Sequence, residues 1–138
     1  RNRQCACFNL RATTRAVTQA FDVVLAPSGL TISQYTLLSV LAMQGPATIN
    51  EIAAWLRMDA TTLTRGLKPL IKEKLLVSTP GDDQRTRRVA LTKAGHRTLE
   101  QARLLWQTLQ AKIVEGMGQE RFETFLKDLR LVASLAHE

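Results

Sequence analysis

Residues 76–92 run Leu76-Val77-Ser78-Thr79-Pro80-Gly81-Asp82-Asp83-Gln84-Arg85-Thr86-Arg87-Arg88-Val89-Ala90-Leu91-Thr92 and hold the one convincing β signal in the chain. Val89 and Leu91 alternate with Arg88, Ala90 and Thr92, the pattern of a strand buried on one face. Leu76 to Thr79 forms the other arm, and the Pro80-Gly81-Asp82-Asp83-Gln84 segment between them is rich in turn residues. The reading is a two-stranded hairpin whose turn and return arm carry Arg85, Arg87 and Arg88. A lone hairpin is only marginally stable in water, so this one must lean on helices.

Those helices are legible on both sides. Leu10, Val17, Phe21, Val24 and Leu25 follow helical spacing from about Cys7 to Ala26, and Pro27-Ser28-Gly29 ends that segment. Thr31-Ile32-Ser33-Gln34 has the form of a capping box, with Leu30 and Tyr35 placed as a hydrophobic staple, and opens a helix that stops near Gln44-Gly45-Pro46. Thr48-Ile49-Asn50-Glu51 opens a short third helix. Asp59 is suited to cap a fourth of about fifteen residues, whose inward stripe is Leu63, Leu67, Leu70 and Ile71. Pro69 lacks an N–H and predicts a bend there. Beyond the hairpin, Thr92 caps a long helix to about Glu115, with Leu99, Ala102, Trp106, Leu109 and Ile113 stepping three, four, three and four. A last helix from Gln119 to about Ala136 shows Phe122, Phe125, Leu126, Leu129, Val132 and Ala133 on one side. The first, fifth and sixth helices each keep an apolar stripe that no sheet covers, which predicts a partner subunit.

With 138 residues the chain suits one domain that needs no disulfide or structural metal. Hydrophobic residues at 45% and charged residues at 22% exclude a disordered chain. Nineteen Lys+Arg against twelve Asp+Glu leave a net charge of +7, and +6 of it lies between Arg65 and Arg97. Charge so concentrated is an electrostatic footprint for phosphates, or a solvated basic face, and local structure must choose between them. Val23 to Asn50 holds no charged residue, but Pro27, Gly29, Gln34, Gln44 and Pro46 among others interrupt it short of ~18 consecutive apolar residues. With no signal peptide visible at its start, the chain is expected to be cytoplasmic, without a membrane partner.

A short helix, the tight link Arg57-Met58-Asp59 and a second helix make a helix-turn-helix, in which the second helix presents its N-terminal residues to the major groove. A basic hairpin follows, where arginines can reach the minor groove. At this point the chain resembles the MarR family of winged helix-turn-helix regulators over essentially its whole length. Leu30-Thr31, Thr48 to Ala53, Asp59 to Arg65, the pattern D-x-R-x-R-R at Asp83–Arg88 and L-T-x-x-G at Leu91–Gly95 carry the resemblance. The last two are the most specific.

The resemblance implies a mainly α fold with a small two-stranded β-wing. Residues 30–98 would form the DNA-binding domain, and 1–29 with 99–138 a helical dimerisation region. It further implies a homodimer that binds near-palindromic double-stranded DNA, usually as a repressor, and lets go when a small ligand or an oxidant acts. Thr61, Thr62, Thr64 and Arg65 are expected at the major groove, with Arg65 matched to guanine O6 and N7. Lys68, Arg87 and Arg88 are expected on phosphates. Arg85 is expected in the minor groove, its guanidinium held by Asp83. Pro69 departs from the commoner family pattern.

Other classes fare worse. His96 and His137 have no metal-ligand spacing and no glycine-rich phosphate loop is present, so neither an enzyme nor a cofactor is expected. A non-sequence-specific architectural DNA binder would use the same basic wing without an effector. Trp55, Tyr35 and Trp106 are better read as core than as a ligand pocket. Cys5-Ala6-Cys7 has no second pair to complete a zinc site. Cys7-Phe8-Asn9-Leu10 is similar to the C-F-x-L segment of the family's peroxide-sensing branch, which makes Cys7, with Cys5 beside it, a redox site to test. The tyrosines that hold the cysteine in that branch are replaced here by Arg11 and Phe21. On a regular helix Cys5 and Cys7 point about 200° apart and do not bridge.

Overall fold

Nine regular elements follow one another along the chain in a computed structural model that describes residues 2–81, 83 and 86–137. They are α1 (Ala6–Leu25), α2 (Ile32–Gln44), β1 (Ala47–Thr48), α3 (Ile49–Leu56), α4 (Ala60–Lys72), β2 (Leu76–Pro80), β3 (Arg87–Leu91), α5 (Lys93–Met117) and α6 (Gln119–His137). Each helix of the central region starts where a side chain can absorb its open N–H groups. In α2 the Thr31 hydroxyl accepts from the Gln34 N–H at 3.2 Å, and Gln34 Oε1 accepts the Thr31 N–H at 3.0 Å. Thr48 and Glu51 do the same for α3, at 3.1 and 2.9 Å. Both expected capping boxes are present.

The sheet has three strands rather than two, in the order β1-β3-β2, all antiparallel. Ala47 pairs with Val89 and Thr48 with Arg88. A strand of two residues shows no alternation, so this one was hidden in the approach to the second capping box. It gives β3 neighbours on both edges, which a lone hairpin lacks. Val89 is buried beneath it together with Ala47 and Leu76.

The core gathers Leu25, Leu30, Tyr35, Leu38, Leu41, Ile52, Leu63, Leu67, Leu70, Leu76, Val89, Leu99 and Ala102 around α2. Thr92 locks α5 to the turn before β2. Its hydroxyl donates to the Lys74 carbonyl at 2.7 Å and accepts from the Gly95 N–H at 3.0 Å, while its own N–H reaches the Leu75 carbonyl at 3.1 Å. Gly95 is pressed against this joint: a Cβ there would overlap the Leu75 carbonyl oxygen and lie 2.9 Å from Leu91 Cδ2. The L-T-x-x-G pattern is therefore a packing requirement as well as a signature.

Several expectations change. Ile71 is 36% exposed and stands on the shoulder of α4, outside its buried stripe of Leu63, Leu67 and Leu70. Pro69 lies inside α4, which is 13 residues long and runs on to Lys72, and the Glu73 N–H reaches the Pro69 carbonyl at 2.9 Å. Trp55 is exposed on α3, whereas Tyr35 is buried and stacks on half-buried Trp106 with ring centroids 5.8 Å apart. Phe21, Leu99 and Ala102 are buried within the chain itself and belong to its own core, not to a seam awaiting a partner. The unpartnered surface lies elsewhere. No described residue of α6 is buried, and Phe8, Leu10 and Val17 of α1 and Phe125, Leu131, Val132 and Leu135 of α6 are exposed. Among the described residues, no single helix is long and apolar enough to cross a membrane.

Candidate nucleic-acid interface

The turn between α3 and α4 is held tightly. Arg57 adopts a left-handed conformation (φ 53°) and the Met58 N–H closes back on the Ala53 carbonyl at 2.9 Å, reversing the chain within three residues. Asp59 then caps α4 twice over. Its Oδ1 accepts the Thr62 N–H at 2.7 Å and its Oδ2 the Thr62 hydroxyl at 2.8 Å. These hydrogen bonds hold the Asp59 carboxyl below its ordinary range. The start of α4 is thus rigid, which a helix that reads base edges requires.

With Leu63, Leu67 and Leu70 turned inward, helical geometry puts Thr61, Arg65, Lys68 and Lys72 along the opposite face, at steps of four, three and four. Thr61, Arg65, Lys68 and Lys72 are exposed, and none of the three cations makes an ion pair among the described residues. Thr64 and Thr62 are exposed on the two shoulders of that face. Thr62 spends its hydroxyl proton on Asp59, so toward any ligand it is left as an acceptor. Lys72, not among the residues expected at the site, joins this face in the last turn of α4, seven after Arg65 and four after Lys68.

The hairpin arginines behave differently. Arg87 lies across to β2, its Nε donating to Ser78 Oγ at 2.9 Å and Nη2 to the Ser78 carbonyl at 2.8 Å. Arg88 is half-buried and turned back on the domain, with Nη1 3.5 Å from the Pro46 carbonyl and 3.7 Å from Glu51 Oε1. At the turn, the Asp83 carbonyl accepts the Thr86 N–H at 2.9 Å. The expected minor-groove residue, Arg85, and its link to Asp83 lie outside the described residues.

At the far end of the molecule Cys5 is not helical. It is the extended residue that caps α1, its Sγ accepting the Phe8 N–H at 3.4 Å, so the reasoning that set Cys5 and Cys7 on opposite sides of one helix does not apply. Both thiols are exposed. Between α2 and α5, a groove of about 560 Å³ is lined by Tyr35, Ser39, Met43, Glu100, Arg103 and Trp106, among others. Burial holds the Tyr35 hydroxyl above its ordinary range. The aromatic pair is thus core on one side and groove wall on the other.

Comparison with known proteins accounts for this arrangement. Residues 28–86 match the model of the MarR family. The chain is 33% identical to the transcriptional regulator MosR of M. tuberculosis, solved in complex with DNA, covering 98% of this chain and all of that one with a TM-score of 0.85. The chain belongs to the MarR family. It is also similar to the transcriptional repressor CouR of Rhodococcus jostii, solved with p-coumaroyl-CoA, at 25% identity, 96% and 94% coverage and a TM-score of 0.84. A Bacillus subtilis protein named as an uncharacterised helix-turn-helix transcriptional regulator, YwoH, is 28% identical over 84% of this chain and 85% of its own. These relatives are regulators of transcription, not enzymes. In this MarR-family chain, α3 and α4 are the helix-turn-helix and β2–β3 the wing, and the chain is a DNA-binding transcriptional regulator by family.

Proposed function

We propose that the chain is a homodimeric, sequence-specific repressor that binds near-palindromic double-stranded DNA and releases it when a small ligand binds or a thiol is oxidised. One observation carries this reading: Thr61, Arg65, Lys68 and Lys72 form a single exposed face on a helix whose start is doubly capped. A guanidinium on such a face can pair with both O6 and N7 of a guanine, while an ammonium suits phosphate. Thr61 and Thr64 would flank Arg65 at the bases, Thr62 contributing an acceptor. Lys68 and Lys72 would lie on the backbone, with Arg85 at the wing tip in the minor groove, held by Asp83, and Arg87 along the wing.

The family, the DNA complex of MosR and the repressor name of CouR support this reading. Residues 30–98 would supply the DNA-binding domain and 1–29 with 99–138 the dimer contact. The exposed apolar faces of α1 and α6 support that contact, together with the groove of about 420 Å³ that Leu10, Val17, Phe125 and Leu129 line between them. For release, the groove between α2 and α5 is the place for a ligand, as CouR's bound p-coumaroyl-CoA suggests for this fold. Cys7 in the first turn of α1 would be the oxidised thiol, with Cys5 beside it at the cap. A cytoplasmic location follows from this role. The experiment is selection of bound fragments from genomic DNA, followed by competition against random duplex. The proposal expects a preference of at least about 10³ for the selected site. A ratio near one would instead make the chain an architectural DNA binder.

A further inference from the structure

Two capping boxes in this chain differ in one respect. The box of α2 closes with neutral Gln34 and that of α3 with Glu51, at nearly the same N–H to Oε1 distances, 3.0 and 2.9 Å. Capping therefore does not require the charge at residue 51. A carboxylate within a basic DNA-binding region also repels phosphate, so its presence there calls for a partner.

That partner is Arg88, 3.7 Å away. Arg88 sits on the central strand, opposite Thr48 of β1 and Thr79 of β2. Its Nη1 lies near both the Pro46 carbonyl and Glu51 Oε1. Its stem passes under the wing turn, where a Cβ on Gly81 would lie 3.5 Å from Arg88 Nε and 3.7 Å from Cγ. One side chain thus lies beside the wing turn and reaches Pro46, just before β1, and Glu51 in the first turn of α3. Arg87, its neighbour, directs its side-chain hydrogen bonds among the described residues to the wing's own Ser78.

We propose that Arg88 is a positioning residue that sets the wing against the helix-turn-helix through Glu51 and Pro46, and not a phosphate contact. This rests on the DNA-binding reading above and narrows it. The Thr48 N–H and hydroxyl do most to keep the Glu51 carboxyl below its ordinary range, and the Arg88 charge adds to them. The pair is solvent-exposed, so its effect on global stability is small and its consequence is local. Loosening it lets the wing swing relative to α4, which lowers the chance that both engage the duplex together.

The sign of one substitution separates the two roles. Glu51→Gln keeps the capping box, as Gln34 does in α2, and removes only the charge. If Arg88 positions the wing, Glu51→Gln weakens binding to the selected DNA by about two- to fivefold, the fold-change expected of an exposed pair. Arg88→Met weakens it similarly with an unchanged salt slope, Arg88→Lys restores part of the loss, and the double variant loses no more than either single one. Amide exchange along β1 and β3, measured without DNA, quickens in both single variants.

If instead Arg88 binds phosphate, Glu51→Gln leaves affinity unchanged or tightens it, and Arg88→Met lowers the salt slope by about one. Either result overturns the proposal. So does unchanged exchange in β1 and β3, which can be read even if the parent chain fails to distinguish its selected site from random DNA. That last failure would bring down the sequence-specific reading instead.

Discussion

The first half of α5 and the whole of α6 carry apolar residues at similar three-and-four spacings, yet the chain treats them oppositely. Gly95, Leu99 and Ala102 are buried against α2 and the sheet, while no described residue of α6 is buried. Periodicity reports that a helix has an apolar face. It does not report whose surface covers that face. Along α5 the answer changes within one helix: its start closes the winged core, and its later residues Leu109 and Ile113 are only half-buried. The winged region is closed within one chain, whereas α6 leaves its apolar face exposed.

The largest effect is expected where that closure is tightest. Gly95→Ala forces a methyl against the Leu91 side chain and into the Leu75 carbonyl, backbone that cannot step aside. It should lower unfolding free energy by about 3 kcal/mol, seen as a lower urea midpoint at constant slope. Gly66→Ala in α4, whose Cβ would meet nothing nearer than Leu37 Cδ1 at 3.8 Å, should instead be neutral or stabilising. Equal losses at the two glycines would mean the joint is looser than described.

A substitution on α6 breaks the comparison from the other side. Phe125→Glu places a charge on an exposed apolar face, so helical content and thermal midpoint of the isolated subunit should barely move. Its cost should appear as about 2–3 kcal/mol of weakened self-association in sedimentation, the range of an interface anchor. Unfolding without any change in assembly would show that α6 closes a core within its own chain.

The smallest effect concerns how the helices begin. Two helices of the winged region lean on carboxylates, Asp59 for α4 and Glu51 for α3, whereas α1 begins on the Cys5 thiol. Both carboxyls titrate below their ordinary range, so the stability they lend is full above pH of about 4 and is lost as pH falls through their lowered values. Asp59→Asn keeps a good cap without the titration. Its thermal midpoint should differ from the parent near neutral pH and converge with it in acid. A difference that stays constant down to pH ~3 would remove Asp59 from the acid response.

How much of this was legible follows the same division. The caps at Thr31, Thr48, Asp59 and Thr92 were readable because a capping side chain acts within three residues of itself. Strand β1 was not, because two residues show no alternation and its partner lies about forty positions away. The contacts of Arg88 were not legible for the same reason: Pro46 and Glu51 are remote in sequence, so nothing local reveals them. The exposed face of α4 was readable from its periodicity, except for Lys72, which lies in its last turn. Phe21 and Leu99 lie in stripes expected to meet a second copy but are buried within the chain, a difference apolar spacing does not show because it is identical for a core and for an interface.

The account's central claim is that α4 reads sequence while its cations hold the backbone. It is tested most directly by measuring, across a salt series, how strongly Arg65→Ala and Lys68→Ala bind the selected site and random duplex. Arg65→Ala should cost about 1–3 kcal/mol on the selected site and little on random DNA, collapsing the preference at one base pair. Lys68→Ala should weaken both equally and lower the salt slope by about one. If the two variants lose affinity alike on both duplexes, α4 is not the reading helix and the claim fails.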